Sequence, residues 1–481
     1  MHETLESPPT PHSEPAGWWR REAGLREALT IALPMMISSL SWTVMNFIDR
    51  LFLLKYSPAA VAAALPAGVM AFAVISFPLG VASYSSTFVA QYFGAGRRTR
   101  VGPAVWQAVW IGVVSVPWAI ACIPLADGYF HGSGVSPEIA ALEVDYFFTL
   151  SFSGGAIVLA AALSAFFSGR GNVRVIMVVD TLAALVNVVL DYFWIFGYAG
   201  FPEAGIAGAG WATTVALWFK ALVYFALFMR REYREEFATL AGWRPDWALL
   251  PRLLRYGFAG GMQMALEVAA FGTFMQLIGR LGQDIAAATS LSFNINNFAF
   301  MPVWGVGMAA STMVGRRLGE NRPDLATRAT WSCAAWGSAY MLTICTFYIA
   351  FPYLTLKPFS LVAEDPEEFA RLEAPAVVLL RFVAAFGFFD ALNICFAGAL
   401  KGAGDVMFVF ISSVAIAAVG VLATYLGLEA GLGLYWCWSV LTAWVVLLGV
   451  AFFYRFLYGP WRTMRVIEPE VEEEQALGPT R

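Results

Sequence analysis

The sequence predicts an all-α membrane protein of twelve transmembrane helices in two six-helix halves. Three observations predict it: an apolar composition, a one-sided layout of basic residues, and an internal repeat. Hydrophobic residues make up 59% of the 481 and charged residues 13%, with mean hydropathy +0.65. Soluble domains run near about 45–50% apolar and about 25% charged. A soluble globule cannot hide that much apolar surface, so soluble enzymes, disordered regulators and secreted disulfide scaffolds are disfavoured together. The net charge of −4 gives no basic face for nucleic acid.

The elements follow in order. A polar, Pro- and Glu-containing segment, 1–28, is expected as a solvated cytoplasmic tail. Apolar runs then fall at 29–54, 62–90, 103–125, 141–167, 173–197 and 206–229, completing an amino-terminal lobe over 29–230. A charged stretch, 231–250, is an inter-lobe cytoplasmic loop. Further runs at 251–279, 287–313, 328–352, 375–399, 406–427 and 432–457 make a carboxyl-terminal lobe over 251–457. Residues 458–481 are expected as a solvated acidic tail. The runs lack the alternation of barrel strands, so helices are the spanning element.

With the first residue inside, 23 of the 30 Lys and Arg fall on that side and 4 on the other. This predicts cytoplasmic termini and an even number of spans in a plasma (inner) membrane. The repeat is carried by two motifs. Thr87-Phe-Val-Ala-Gln-Tyr-Phe-Gly-Ala-Gly-Arg97 aligns with Thr312-Met-Val-Gly-Arg-Arg-Leu-Gly-Glu-Asn-Arg322 at an offset of 225. Gly169-Arg-Gly-Asn172 aligns with Gly402-Ala-Gly-Asp405 at an offset of 233. Six spans repeated once start on the same side, so the repeat is parallel. Transporters place substrate paths between such halves.

Charges inside spans cost about 2.5–3.5 kcal/mol on insertion scales and need a reason. Here they are Asp49, Arg50, Asp180, Asp191, Lys220, Glu267, Arg381 and Asp390. Asp180, Asn187 and Asp191 lie within about 20° of one line on a helix. Carboxylates with an amide suit a proton or a hard monovalent cation, not zinc. Glu267 has Gln263 one turn before it, and Asp390 has Asn393 three residues on. Under the repeat, Asp49 faces Phe274, Asp191 faces Thr424, Glu267 faces Trp42 and Asp390 faces Ile157, so each half builds its own acids. Asp180 is expected to form an interface salt bridge near Arg170 and Arg174. Arg50 and Lys220 are expected to snorkel. The five cysteines read as core residues, and no histidine is placed for metal or proton chemistry.

These residues resemble the MATE (multidrug and toxic compound extrusion) family over about 25–460. The likeness rests on Pro34 with Phe47-Ile-Asp49, on Gln91-Tyr-Phe-Gly-Ala-Gly and on Asn187-Val-Val-Leu-Asp191-Tyr. It also rests on Gly205-Ile-Ala-Gly-Ala-Gly-Trp-Ala-Thr213, Gly261 to Glu267, and Asp390 to Asp405. The resemblance implies two lobes forming a V and a cation-coupled antiporter exporting organic, cationic compounds. It implies an amino-lobe cation or proton site of Asp49, Asn187, Asp191 and Thr213, and a carboxyl-lobe site of Glu267, Asp390 and Gln263. Phe386, one turn before Asp390, departs from members that carry Tyr there with sodium. The expected coupling ion is H+ or Na+, with no cofactor. The expected partners are small organic substrates and the lipid bilayer, for a monomer that is not an enzyme.

Two other readings compete. A lipid-linked precursor flippase would favour a basic cavity, whereas the buried charges here are mainly acidic. An intramembrane aspartyl protease is suggested by the GxGD string Gly402–Asp405, but it needs a second aspartate close by. No Walker motif is present for ATP drive.

Overall fold

The computed structural model describes residues 17–132, 135–360 and 366–469. Among the described residues sixteen α-helices follow one another. They are α1 (Leu25–Tyr56), α2 (Pro58–Ser83), α3 (Ser85–Gly94), α4 (Val101–Ala121), α5 (Ile123–Gly132), α6 (Pro137–Gly169), α7 (Val173–Phe196) and α8 (Gly205–Phe228). Then come α9 (Arg231–Glu236), α10 (Leu249–Gly279), α11 (Gln283–Gly319), α12 (Pro323–Ala350), α13 (Pro352–Ser360), α14 (Pro366–Ala403), α15 (Val406–Glu429) and α16 (Leu434–Tyr458). With α2 and α3 counted as one interrupted span, each half holds six crossing helices; α5, α9 and α13 are short connectors.

Eleven segments among the described residues are long and apolar enough to cross a membrane. The twelfth crossing helix, α10, has the length, at 31 residues. Gln263, Glu267 and a run of glycines dilute its apolar middle. It is accommodated by packing between α2 and α15. The break between α2 and α3 at Tyr84 has a local cause. The Ser85 and Ser86 hydroxyls donate to the carbonyls of Ala82 (2.7 Å) and Ser83 (2.9 Å), in competition with the backbone ladder.

The repeat is written into the helix ends. Gly96 (φ 76°) and Asn321 (φ 57°), 225 apart, are both left-handed. The next residue's N–H closes each turn: Arg97 to Tyr92 O at 3.0 Å, Arg322 to Arg317 O at 2.8 Å. Gly171 (φ 77°) and Gly404 (φ 107°), 233 apart, repeat the device. There Asn172 donates to Phe167 O and Asp405 to Leu400 O, each at 2.9 Å. This is helix termination by a left-handed residue with a bond back to the last turn. The GxGD string is therefore a helix end. Asp405 there accepts from Arg455 Nε at 2.7 Å, an ion pair in place of a second aspartate.

The lobes meet in close backbone contact at the arginine-rich end. A Cβ on Gly94 would run into Arg316 O, and one on Gly319 into Gln91 O. A Cβ on Gly80 would lie 2.6 Å from Gly261 Cα, and one on Gly305 2.7 Å from Met36 N. Both contact pairs exchange under the offset of 225, as a two-fold relation between halves requires.

Two expectations need correction. The amino-terminal segment is not wholly solvated: Ala23 is buried, α1 starts at Leu25, and Glu22 and Glu27 pair with Arg317 at 2.8 and 2.7 Å. Nor is the start of the acidic tail: Trp461, Val466, Ile467 and Glu468 are buried. Residues 1–16 and 470–481 lie outside the described residues.

Candidate functional site

The amino-lobe cluster is built where α1, α6, α7 and α8 converge. Glycines let α8 approach its neighbours: a Cβ on Gly208 would lie 2.7 Å from Trp194 O, and one on Gly210 would strike Thr149 Oγ1. That approach sets Thr213 beside Asn187. With the Asn187 amide oriented to satisfy both partners, its nitrogen donates to Asp191 Oδ2 at 3.0 Å. Its oxygen accepts from Thr213 Oγ1 at 3.2 Å. Asn187 and Asp191 are fully buried. Asp49 on α1, also buried, accepts from the Tyr146 hydroxyl at 3.2 Å, and its Oδ1 has no partner. Asp49 and Asp191 interact electrostatically with each other and with Tyr146, and the Arg50 charge acts on Asp49 as well. The structure thus gathers Asp49, Asn187, Asp191 and Thr213 and adds Tyr146, which the sequence did not single out.

Asp180 is not part of that cluster, and its partners are not Arg170 and Arg174. It pairs with Lys220 (2.8 Å) and accepts from Tyr224 (2.7 Å) and from Ser38. Lys220 therefore does not snorkel; it is turned inward onto Asp180. Arg170 is stacked on Phe166, Tyr233 and Phe237 at 3.8–4.6 Å from ring centroids. Arg50 is exposed. It donates to Asn294 of α11 at 3.0 Å, one of the links between lobes.

In the carboxyl lobe, Gln263 Nε2 donates to Glu267 Oε1 at 2.8 Å and to Ser413 Oγ at 3.1 Å. Gln263 Oε1 is buried with no partner. Glu267 lies on a groove of about 620 Å³ between α10 and α15, whose walls are mainly apolar: Ala270, Ala417, Val421 and Tyr425 among them. Asp390 on α14 is buried and accepts from Asn393 Nδ2 at 3.5 Å. Among the described residues no hydrogen bond or ion pair joins Glu267 to Asp390; they stand as separate carboxylates. Phe386 belongs to the surrounding apolar core.

A repeated six-helix half, buried acids in each, and a groove beside one of them define a class: a helical membrane transporter. The MatE family model matches residues 34–193 and 261–426, once in each half. The chain belongs to the MatE family. It is similar to a probable multidrug resistance protein NorM of Bradyrhizobium diazoefficiens, 30% identical over 423 residues, 87% of this chain and 86% of that one. It is also similar to the multidrug resistance protein PmpM of Pseudomonas aeruginosa, 29% identical over 399 residues, 80% of each chain. The eukaryotic MATE transporter AtDTX14 shares the fold at a TM-score of 0.80 and 17% identity, covering 91% of this chain and 96% of that one.

Proposed function

We propose that this chain is a proton-coupled antiporter that exports organic cations across the plasma membrane, its arginine-rich end facing the cytoplasm. One observation carries the reading. Asp49 and Asp191 are buried, close enough to interact, and hydrogen-bonded among the described residues only by neutral groups: Tyr146, Asn187 and, through it, Thr213. Two carboxylates sharing an oily site resist double ionisation. Arg50 acts on Asp49 only through its field, and no basic group is bonded to either acid among the described residues, so the couple favours holding a proton or cation. Loading and unloading that charge changes what the site prefers around it and biases the two lobe arrangements. The multidrug resistance names of the relatives support drug export, the mainly apolar groove that Glu267 and Arg280 border supports apolar cargo, and the buried acids Asp49, Asp191 and Asp390 favour cationic over anionic cargo.

The test uses proteoliposomes with an imposed pH or sodium gradient and a panel of aromatic cations. Export by the wild type should follow the pH gradient, and Asp191→Asn should abolish it with insertion and thermal stability retained. Unchanged export by Asp191→Asn, or no response to a pH gradient, overturns the reading.

A further inference from the structure

A second polar layer lies in the amino lobe, and transport as described so far leaves it without a task. Asp180 is held by Lys220, Tyr224 and Ser38, drawn from α7, α8 and α1. Ser41 and Thr181 complete the layer at 3.2 Å. No other titratable side chain is bonded to Asp180 among the described residues. A buried ion pair is a poor source of stability, since apolar residues of similar volume often serve as well or better. In lipid its cost is higher still.

The two layers are in register. From Ser38 to Asp49 on α1, and from Asp180 to Asp191 on α7, the step is eleven residues, three turns and about 16 Å. On antiparallel α8, Lys220 and Thr213 lie seven residues apart, two turns and about 10 Å. Between the layers sits a cavity of about 20 Å³. Ser38, Asp180 and Lys220 give it polar walls, while Met45, Ala184 and Ala216 line it towards the Asp49 layer. A single water needs about 10–15 Å³ by this measure and two to four polar partners. Both conditions are met.

We propose that this cavity and the Asp180–Lys220 pair form the proton path between the Asp49–Asp191 couple and the arginine-rich end. The proposal rests on the proton-coupled reading above. One proton leaves the couple, crosses the turn that separates it from the Met45–Ala184–Ala216 end of the cavity on further water admitted as the lobes rearrange, passes through the water in the cavity and binds an Asp180 carboxylate oxygen. Asp180 becomes a neutral acid while Lys220 keeps its ammonium charge. The proton then leaves towards the arginine-rich end, and the ion pair re-forms.

The experiment compares Asp180→Asn, the double variant Asp180→Asn with Lys220→Met, and Ala184→Leu, which fills the cavity and leaves every titratable group of both layers in place. The double variant strands no buried charge. The double variant and Ala184→Leu should slow pH-driven export at least about tenfold, as loss of a proton-transfer group does. Drug-for-drug exchange at equal pH should stay at the wild-type rate. Wild-type export by both overturns the proton path. So does full recovery in the double variant of a loss seen in Asp180→Asn alone, because that is the mark of a structural ion pair. A wild type blind to the pH gradient, or an active Asp191→Asn, takes down the antiport reading itself, so the two failures are distinguishable.

Discussion

Asp49 has one hydrogen-bond donor, the Tyr146 hydroxyl, and one open oxygen. Hydrogen bonds to a charged group contribute about 1.5–3 kcal/mol, roughly ten- to a hundred-fold in an equilibrium. Tyr146→Phe keeps the ring and removes the donor. It should slow pH-driven export about tenfold, read as initial rates in proteoliposomes, with little change in melting temperature. Tyr192→Phe, at an exposed ring, is the control and should export at the wild-type rate. The acids of the site were legible because any charge in an apolar run is conspicuous. Tyr146 was not: it is one of 17 tyrosines, and nothing in its neighbours along the chain marks it. Lys220 read as a snorkelling residue because its partner Asp180 sits 40 residues away on the adjacent helix. Spacing along one helix cannot reveal a pair made between two.

The elements depend on how closely helices approach. Gly210 lets α8 lie against α6 at Thr149, and Thr214 Oγ1 locks the crossing by donating to Thr149 O at 2.8 Å. Overpacking such a contact costs about 1–3 kcal/mol. Gly210→Ala should lower the melting temperature by several degrees and move Thr213 away from Asn187, weakening pH-driven export as well. Thr149→Ala in the same chain removes the struck hydroxyl and should recover part of both, while the Thr214 hydroxyl still donates to the carbonyl of residue 149. No recovery would place the fault elsewhere. Apolar runs placed the crossing helices well, since length and hydropathy are what a bilayer demands. They could not show the break at Tyr84, which serine hydroxyls make, nor the short helices α5 and α13, which lack the length of a span.

At the scale of the whole molecule, the repeat was visible as two loop motifs, and the structure shows them as paired helix ends that bring the lobes together. The closing strap was hidden. Residues 464–468 read as part of a solvated acidic tail because Met464, Val466 and Ile467 are too short an apolar run among charges to signal burial, and the groups that capture them come from distant elements. Gln91 Oε1 accepts from Val466 N at 2.8 Å while Gln91 Nε2 donates to Gly402 O at 3.0 Å. Glu468 accepts from Tyr92 at 2.7 Å, pairs with Arg100 at 3.3 Å and also pairs with Arg252, joining α3, the turn that leads into α4, and α10 across the two lobes. Burial alone would push the Glu468 carboxyl up. The Tyr92 hydrogen bond, with Arg100 and Arg252, outweighs it and holds the group below its ordinary value. A carboxylate with a depressed folded value stabilises the strap above the ordinary carboxylate range and loses that contribution as pH falls through the folded value. The strap should therefore hold from pH 7 down to the ordinary range and release only below it. Glu468→Gln should release it at every pH. Distances between spin labels on α3 and α10, read by electron–electron resonance in nanodiscs, should broaden in the variant at pH 7. The wild type should match it only in acid. A variant whose distances stay wild-type at pH 7 would show that the helix ends alone hold the lobes together.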